Sequence, residues 1–576
     1  MNSRTRTLIY GGSIRTQSPG YPTVAAMVTE GDRIIGIGDL EDMQDLAGKQ
    51  AAKIDVRGAT VMPGLIDTHR HLLHFSVLGA PLVPLFGVQS HAEIVERIRE
   101  RARQVPPGEW ILTTPVGHGD DDYFAREPDR YKSLVEGVLP DRKVLDEATP
   151  DHPVAILAFP PVIPNTAAFN SMALAKVGLN RDTPARVSNV WIEKDAEGEP
   201  TGLIRGSVNF YYAEDSFNDT IWQQVPTIQA VGALDAVKAG IAQAAMYGVT
   251  TILENHMLMP EQVELYRALR QSNELNLRVM AAMELDDFGF ATSKPRSEPE
   301  IVELLEHAKA NLDFEDEFFR FSGVSVMWDG VCNPGWMMMS QAYPGPYGEL
   351  TKGHYQTSPE KIRLAMDYCL EHDVPLNSCA MGDKAIEENL EMAEADADKA
   401  KKAPNGWVLV HGFFLRPELI NRYAALNYNY TTTMTAVWGK GDLYARRFGE
   451  ACLDHLCPLR NVFDSGMDVG GGTDWAPRNL WKHVEISLTH EFFESGKSNL
   501  GARQKISRDE ALSMFTDSAA KVMGWAEIGS LQAGNYADYV VLDRDPGTCP
   551  IEDLAGTKVM RTVLAGNIAY DSGEIA

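Results

Sequence analysis

Between residues 7 and 58 the chain runs in short apolar bursts separated by Gly and Asp turns: Leu8-Ile9-Tyr10, Ala25-Ala26-Met27-Val28, Arg33–Gly38 and Lys53-Ile54-Asp55-Val56. Runs of this kind bounded by turn formers read as β-strands. The same texture returns in Tyr539–Asp543 and Val559–Gly566. From about residue 235 the pattern changes, and apolar runs alternate with stretches of helical period. The runs are Thr250–Glu254, Leu277–Met283, Phe319–Trp328, Val374–Cys379, Trp407–His411, Tyr428–Thr432 and Val469–Asp474, while Pro359–His372 and Asp383–Ala400 carry helical spacing. With a strand ending at His71 the series predicts an α/β fold, a (β/α)8 TIM barrel. The β-rich ends, 1–60 and 530–576, predict one small β-sandwich domain built from both termini, and 61–529 become the barrel domain. A segment at about 80–235 interrupts the alternation with its own strands and Pro-rich loops. It reads as a large insertion after barrel strand one.

Composition narrows the partners. A formal charge of −27 argues against nucleic acid, which calls for a basic patch, and disfavours an anionic membrane surface. The six cysteines form no C-x-x-C pair and read as reduced thiols. No apolar run is long enough to span a bilayer, and the start of the chain carries no long apolar leader, so a cytoplasmic protein is expected. A homodimer is the base-rate expectation for its assembly.

The chemistry gathers where the predicted strands end, since barrel active sites sit at the C-terminal ends of the strands. The stretch Val61-Met62-Pro63-Gly64-Leu65-Ile66-Asp67-Thr68-His69-Arg70-His71 finishes in His-x-His. Residues two apart on a strand share a face, which sets the two imidazoles side by side, about 6–7 Å apart at Cα. That is half of a divalent-metal site. Strand two closes on Glu254, followed by Asn255 and His256. Asp329 follows strand four, Cys379 closes strand five, His411 strand six and Asp474 strand eight. Imidazoles, carboxylates and a thiol converging on one rim predict a metal centre.

The motifs PGLIDTHRH, VLVHG, GGGTDWAP and IGSLQAGNYADYVVLDRDP resemble those of the amidohydrolase superfamily, and within it amidohydrolase family 3, of the N-substituted formamide deformylase kind. The likeness covers nearly the whole chain. It implies a barrel-plus-sandwich hydrolase with one or two divalent metals at the barrel mouth. Zinc is the expected metal, one ion is favoured over two, and manganese or iron are the alternatives. It assigns His69, His71, His411 and Asp474 to the metal. It also gives Asp474 the proton transfers of general base and then general acid.

Three departures from the family pattern stand out. Cys379-Ala380-Met381-Gly382-Asp383 occupies the place of a His-Ala-Ile-Gly-Asp segment, so Cys379 is either a thiolate ligand or a small buried filler. Ser322–Asp329 contains no lysine to bridge two metals as a carbamate. Either one metal is bound or Glu254 supplies the extra carboxylate, unless Glu254 only forms a salt bridge within the rim. Pro161-Val162-Ile163-Pro164-Asn165 stands where relatives show a histidine, which points to Asn165 as a substrate contact and to His118 as a compensating pocket residue or a loop histidine. Trp328 and Trp438 lead a group of aromatic rim residues expected to line an apolar pocket.

The resulting expectation is a metal-dependent amidohydrolase cleaving a non-peptide C–N bond, amide or cyclic amide, of a small hydrophobic molecule. A decarboxylase, deaminase or esterase on the same site, or a catalytically silent ligand-binding relative, are the competing expectations.

Overall fold

The computed structural model describes residues 6–18, 20, 22–117, 130–158, 161–212, 214–229, 232–256, 258–288, 290–312, 314, 316–401 and 406–575. Its centre is a parallel eight-stranded sheet: Leu65–Asp67, Val249–Glu254, Arg278–Glu284, Phe319–Met327, Leu376–Ala380, Val408–His411, Asn429–Thr433 and Val469–Gly472, hereafter strands one to eight in that order. Each pairs in parallel with the next. The ring closes where Thr68 N–H donates to Gly471 O at 3.1 Å and Asp474 N–H to His69 O at 2.7 Å. This is the predicted barrel, and the apolar runs are legible because parallel strands in such folds are buried on both faces.

Close approach at the seam is a matter of glycine. A Cβ on Gly472 would lie 2.4 Å from His69 Cβ, and one on Gly470 2.6 Å from Thr68 Oγ1. Only bare backbone lets strand eight press against strand one, so the Gly-Gly-Gly run fixes where Asp474 emerges.

Both termini meet in one hydrogen-bonded sheet. Arg6–Arg15, Thr23–Glu30, Arg33–Gly38, Ala52–Asp55 and Thr60–Pro63 join Tyr539–Leu542, Val559–Leu564 and Asn567–Asp571. Where two packed sheets are expected, the ladders run through all eight strands without a break. The helix Leu40–Ala47 supplies Met43 and Ala47 to a small core with Leu8, Ala26 and Val28. The insertion forms a seven-stranded mixed sheet between Leu82 and Gly206. Its inner residues Leu112, Ala155, Ala167 and Phe169 share the main core with Leu72 and Leu73 after strand one.

One buried ion pair ties barrel to terminal sheet. Arg278 Nε and Nη2 donate to the two carboxylate oxygens of Asp538 at 2.6 and 2.9 Å, with the guanidinium 3.8 Å from the Tyr536 ring centroid. Asp538 Oδ1 also accepts Ala565 N–H at 2.7 Å. Removing one partner strands a buried charge, so Arg278→Met is expected to lower unfolding free energy by about 3–5 kcal/mol in denaturant titrations.

Candidate metal centre

Asp67, the last residue of strand one, is buried and spends both oxygens on the seam. Its Oδ1 accepts Thr473 N–H at 3.0 Å, and its Oδ2 accepts the Thr473 hydroxyl at 2.7 Å and Arg70 Nη1 at 3.3 Å. With Asn255 Nδ2 donating to Thr68 O at 3.0 Å, three strand ends are locked together around the His-x-His segment. His69 and His71 then stand with ring centroids 5.0 Å apart.

The other donors close in from across the mouth. The His69 ring lies 4.4 Å from His411 and 4.9 Å from His256, and the His71 ring 4.5 Å from His256. Asp474 Oδ1 stands 3.3 Å from His71 Nε2 and 3.7 Å from His69 Nε2. Three overlapping groups (His69–His71–His256, His256–Cys379–His411 and His69–His411–Asp474) each bring one donor atom per residue within 4.8 Å of the others. All six side chains are buried. His411 and Asp474 hold positive φ, 69° and 53°, uncommon backbone that aims them inward.

The donor set suits a divalent cation. Both ring nitrogens of His69 and of His256, and Nδ1 of His411, are buried with no hydrogen-bond partner among the described residues. A buried polar atom left so costs about 1–3 kcal/mol, and coordination satisfies it. Burial, reinforced by neighbouring positive charge, drives His69, His256 and His411 well below the ordinary imidazole range, leaving them in the neutral form that binds metal. Burial pushes the Cys379 thiol well up, with Glu284, Asp329 and Asp474 adding to it, so the thiol is protonated unless a cation faces it. Burial also works upward on Asp474, but His71, whose Nε2 lies 3.3 Å from Oδ1, together with His69 and Lys440 holds its carboxyl below its usual value. It is a carboxylate set among imidazoles.

Supporting contacts fix the donors. Asp329, buried at the end of strand four, accepts the N–H groups of Met338, Met381 and Gly382 at 2.8, 2.8 and 2.9 Å, holding the turn that follows Cys379. Burial raises its carboxyl to about 7. Glu284 Oε2 sits 3.8 Å from His256 Nδ1 and accepts the Ser325 hydroxyl at 3.0 Å, a carboxylate behind a metal-facing ring.

The other residues that the sequence pointed to, on strand two and around the rim, fall elsewhere or behind the cluster. Glu254 turns away from it: Oε1 accepts Leu73 N–H at 3.0 Å and Oε2 the Tyr266 hydroxyl, and burial raises its carboxyl to about 7. It stands in none of the three donor groups. Trp328 is fully buried, its backbone N–H on Cys379 O at 2.9 Å. Trp438 packs on Phe493 with centroids 4.8 Å apart. Asn165 opens a strand of the inserted sheet and accepts Thr166 N–H at 2.8 Å. His118 lies outside the described residues. Sequence reasoning passed over His256 in favour of Glu254, and missed Tyr211, Tyr212 and Lys440 altogether. The two tyrosines come from the insertion; the Tyr211 ring lies 5.3 Å from His74, and the Tyr212 ring lies 6.2 Å from Trp475, the residue after Asp474.

Comparison with known proteins converges on the same kind of molecule. The sequence profile of the Amidohydrolase family matches residues 52–570. The chain belongs to the amidohydrolase family. This amidohydrolase is 26% identical over 581 residues to the N-substituted formamide deformylase of Arthrobacter pascens, covering 98% of each chain. Among solved structures it resembles an uncharacterized metal-dependent hydrolase from Pyrococcus furiosus at TM-score 0.69 and 21% identity, covering 94% of this chain and 100% of that one. It also resembles the zinc complex of atrazine chlorohydrolase TrzN from Arthrobacter aurescens TC1 at TM-score 0.53 and 14% identity, covering 98% of this chain and 95% of that one. These structural likenesses carry the barrel fold. Among the described residues no helix is long and apolar enough to cross a membrane.

Proposed function

We propose that this amidohydrolase cleaves a non-peptide C–N bond, an amide or cyclic amide, in a small and largely hydrophobic organic molecule. The observation that carries the reading is the buried ring of partnerless donors with a carboxylate, Asp474, inside it. Kinship with an N-substituted formamide deformylase favours the amide bond.

His69, His71, His256 and Asp474 would hold one zinc ion, with His411 beside them, its ring 4.4 Å from His69 and its donor grouped with those of His69 and Asp474, and Cys379 next to His256 and His411. Such an ion, when bound, brings water toward neutral acidity and polarises a carbonyl oxygen. The chain's own groups do the rest. The Asp474 carboxylate takes the proton of the attacking water as the oxygen–carbon bond forms, then returns it to the leaving nitrogen as the C–N bond breaks, so the carboxylate is regenerated. Neutral His411 can donate one N–H to the carbonyl oxygen as negative charge gathers on it. Tyr211 and Tyr212, uncharged at neutral pH, cover the mouth and keep solvent out.

The test is direct. Zinc-loaded protein should contain about one equivalent of metal and release formate from N-(2-phenylethyl)formamide. Stripping the metal with 1,10-phenanthroline should abolish turnover, and added zinc should restore it. Tight metal with no turnover of any amide, cyclic amide or formamide offered would instead favour a silent binder, and ammonia release from an amidine a deaminase.

A further inference from the structure

Lys440 follows the short helix Thr435–Trp438 beyond strand seven. It is 9% exposed, yet among the described residues its ammonium has no hydrogen-bond or ion-pair partner within 4.0 Å. Its Nζ lies over an aromatic face, 4.1 Å from the Trp475 ring centroid. Trp475 directly follows Asp474, and its ring also lies against Tyr212, nearly parallel at 21° and 6.2 Å. Tyr212 in turn lies 5.9 Å from Trp336. The ammonium therefore stands at the end of an aromatic wall that begins beside the donor ring. Lysines are rarely buried without a counterion, because desolvation is repaid only by pairing. Burial lowers the Lys440 pKa, while Asp474 is foremost in opposing that shift. Asp474 is already engaged with His69 and His71. Any cation in the donor ring draws on the same carboxylate, and Lys440 then faces net positive charge with no carboxylate within ion-pair distance among the described residues.

We propose that Lys440 is the seat for an acidic substituent of the substrate, so that the molecule cleaved is an amide carrying a carboxylate on an aromatic or otherwise apolar body. The assignment rests on the hydrolase reading above, and it makes Lys440 a specificity residue. The carboxylate supplies the missing counterion, the body lies along Trp475, Tyr212 and Trp336, and the amide is left at Asp474. Uncharged amides of the same shape leave the ammonium of this largely buried lysine unpaired and bind less well.

The matched probes are N-formylphenylalanine and N-(2-phenylethyl)formamide, which differ by one carboxylate. Both are assayed for turnover and, separately, for binding by calorimetry, on zinc-loaded wild type, Lys440→Met and Lys440→Arg, with zinc content verifying an intact ring. The wild type is expected to favour the acid at least tenfold in KM and in Kd. Lys440→Met should erase that preference and Lys440→Arg should retain part of it. If neither probe is turned over but the acid binds more tightly only when Lys440 is present, the anion seat stands and the hydrolase reading falls. Turnover of both probes with equal KM leaves the hydrolase and overturns the seat. A preference that persists in Lys440→Met, or no carboxylate-dependent binding in any protein, also overturns it.

Discussion

Replacing Asp474 by asparagine is expected to lower kcat by about 10²–10⁴-fold, the range that a positioned general acid–base group contributes, while leaving zinc bound. The substitution is clean for three reasons. The residue sits at φ 53°, a left-handed conformation that asparagine tolerates and most other side chains resist, so the backbone gains no new strain. The amide keeps an oxygen for the Thr433 hydroxyl, which approaches Asp474 Oδ2 at 3.4 Å. The amide also matches the carboxylate in volume, so the seam held by Asp67 and Thr473 is undisturbed. What disappears is basicity. In the native site His69, His71 and Lys440 hold the carboxyl below its usual value despite burial, so the group is ionised and ready to accept a proton across the neutral range. Steady-state assays beside metal analysis check the prediction. Wild-type rates in Asp474→Asn would take this residue out of proton transfer.

How far the site could be read from the sequence depended on whether a short-range rule applied. Seven of the eight barrel strands, most of them apolar runs, came out with ends within about two residues of Val249–Glu254, Leu376–Ala380 and the rest, whereas strand one stops at Asp67, four residues before the expected His71. The His69–His71 pair was expected from the two-residue strand period; the strand stops at Asp67 and the two histidines lie in the turn beyond it, yet their rings stand together. Rules of that kind fail where the deciding contact is long-range. Asp67 reaches Thr473 across 406 positions, and no local pattern announces that this bond closes the barrel. Tyr211 and Tyr212 sit in an irregular stretch of the insertion and reach the mouth only through tertiary packing, as the bridge between Tyr211 and Phe290 after strand three shows. Lys440 lies in an unremarkable Trp-Gly-Lys-Gly run and is notable only for having no counterion within 4.0 Å among the described residues. Cys379 is the instructive middle case. Its place at the end of strand five beside His411 on the rim was visible, but whether it serves as ligand or filler was not; in the structure it shares a donor group with His256 and His411.

Strand two provides the sharpest separation between neighbouring residues, and the second large effect. Glu254 and His256 are two apart, so an extended chain would present both to the same face, and either could serve a cation. The strand ends at Glu254 instead. Leu73 N–H and the Tyr266 hydroxyl draw that carboxylate back into the wall, and the chain turns so that the His256 ring enters the cluster 4.5 Å from His71 and 4.9 Å from His69. His256→Ala is therefore expected to weaken zinc binding by more than about 100-fold, beyond the 10–100-fold typical of losing an outer partner. Glu254→Gln should leave zinc affinity within a few-fold. Burial already raises the Glu254 carboxyl to about 7, so near neutrality the native group is in good part protonated and the amide imitates that form. Competition titrations against a chromogenic chelator measure both. The reverse outcome, zinc lost from Glu254→Gln and kept by His256→Ala, would return the strand-two ligand to the carboxylate and require the chain after Glu254 to turn the other way when metal binds.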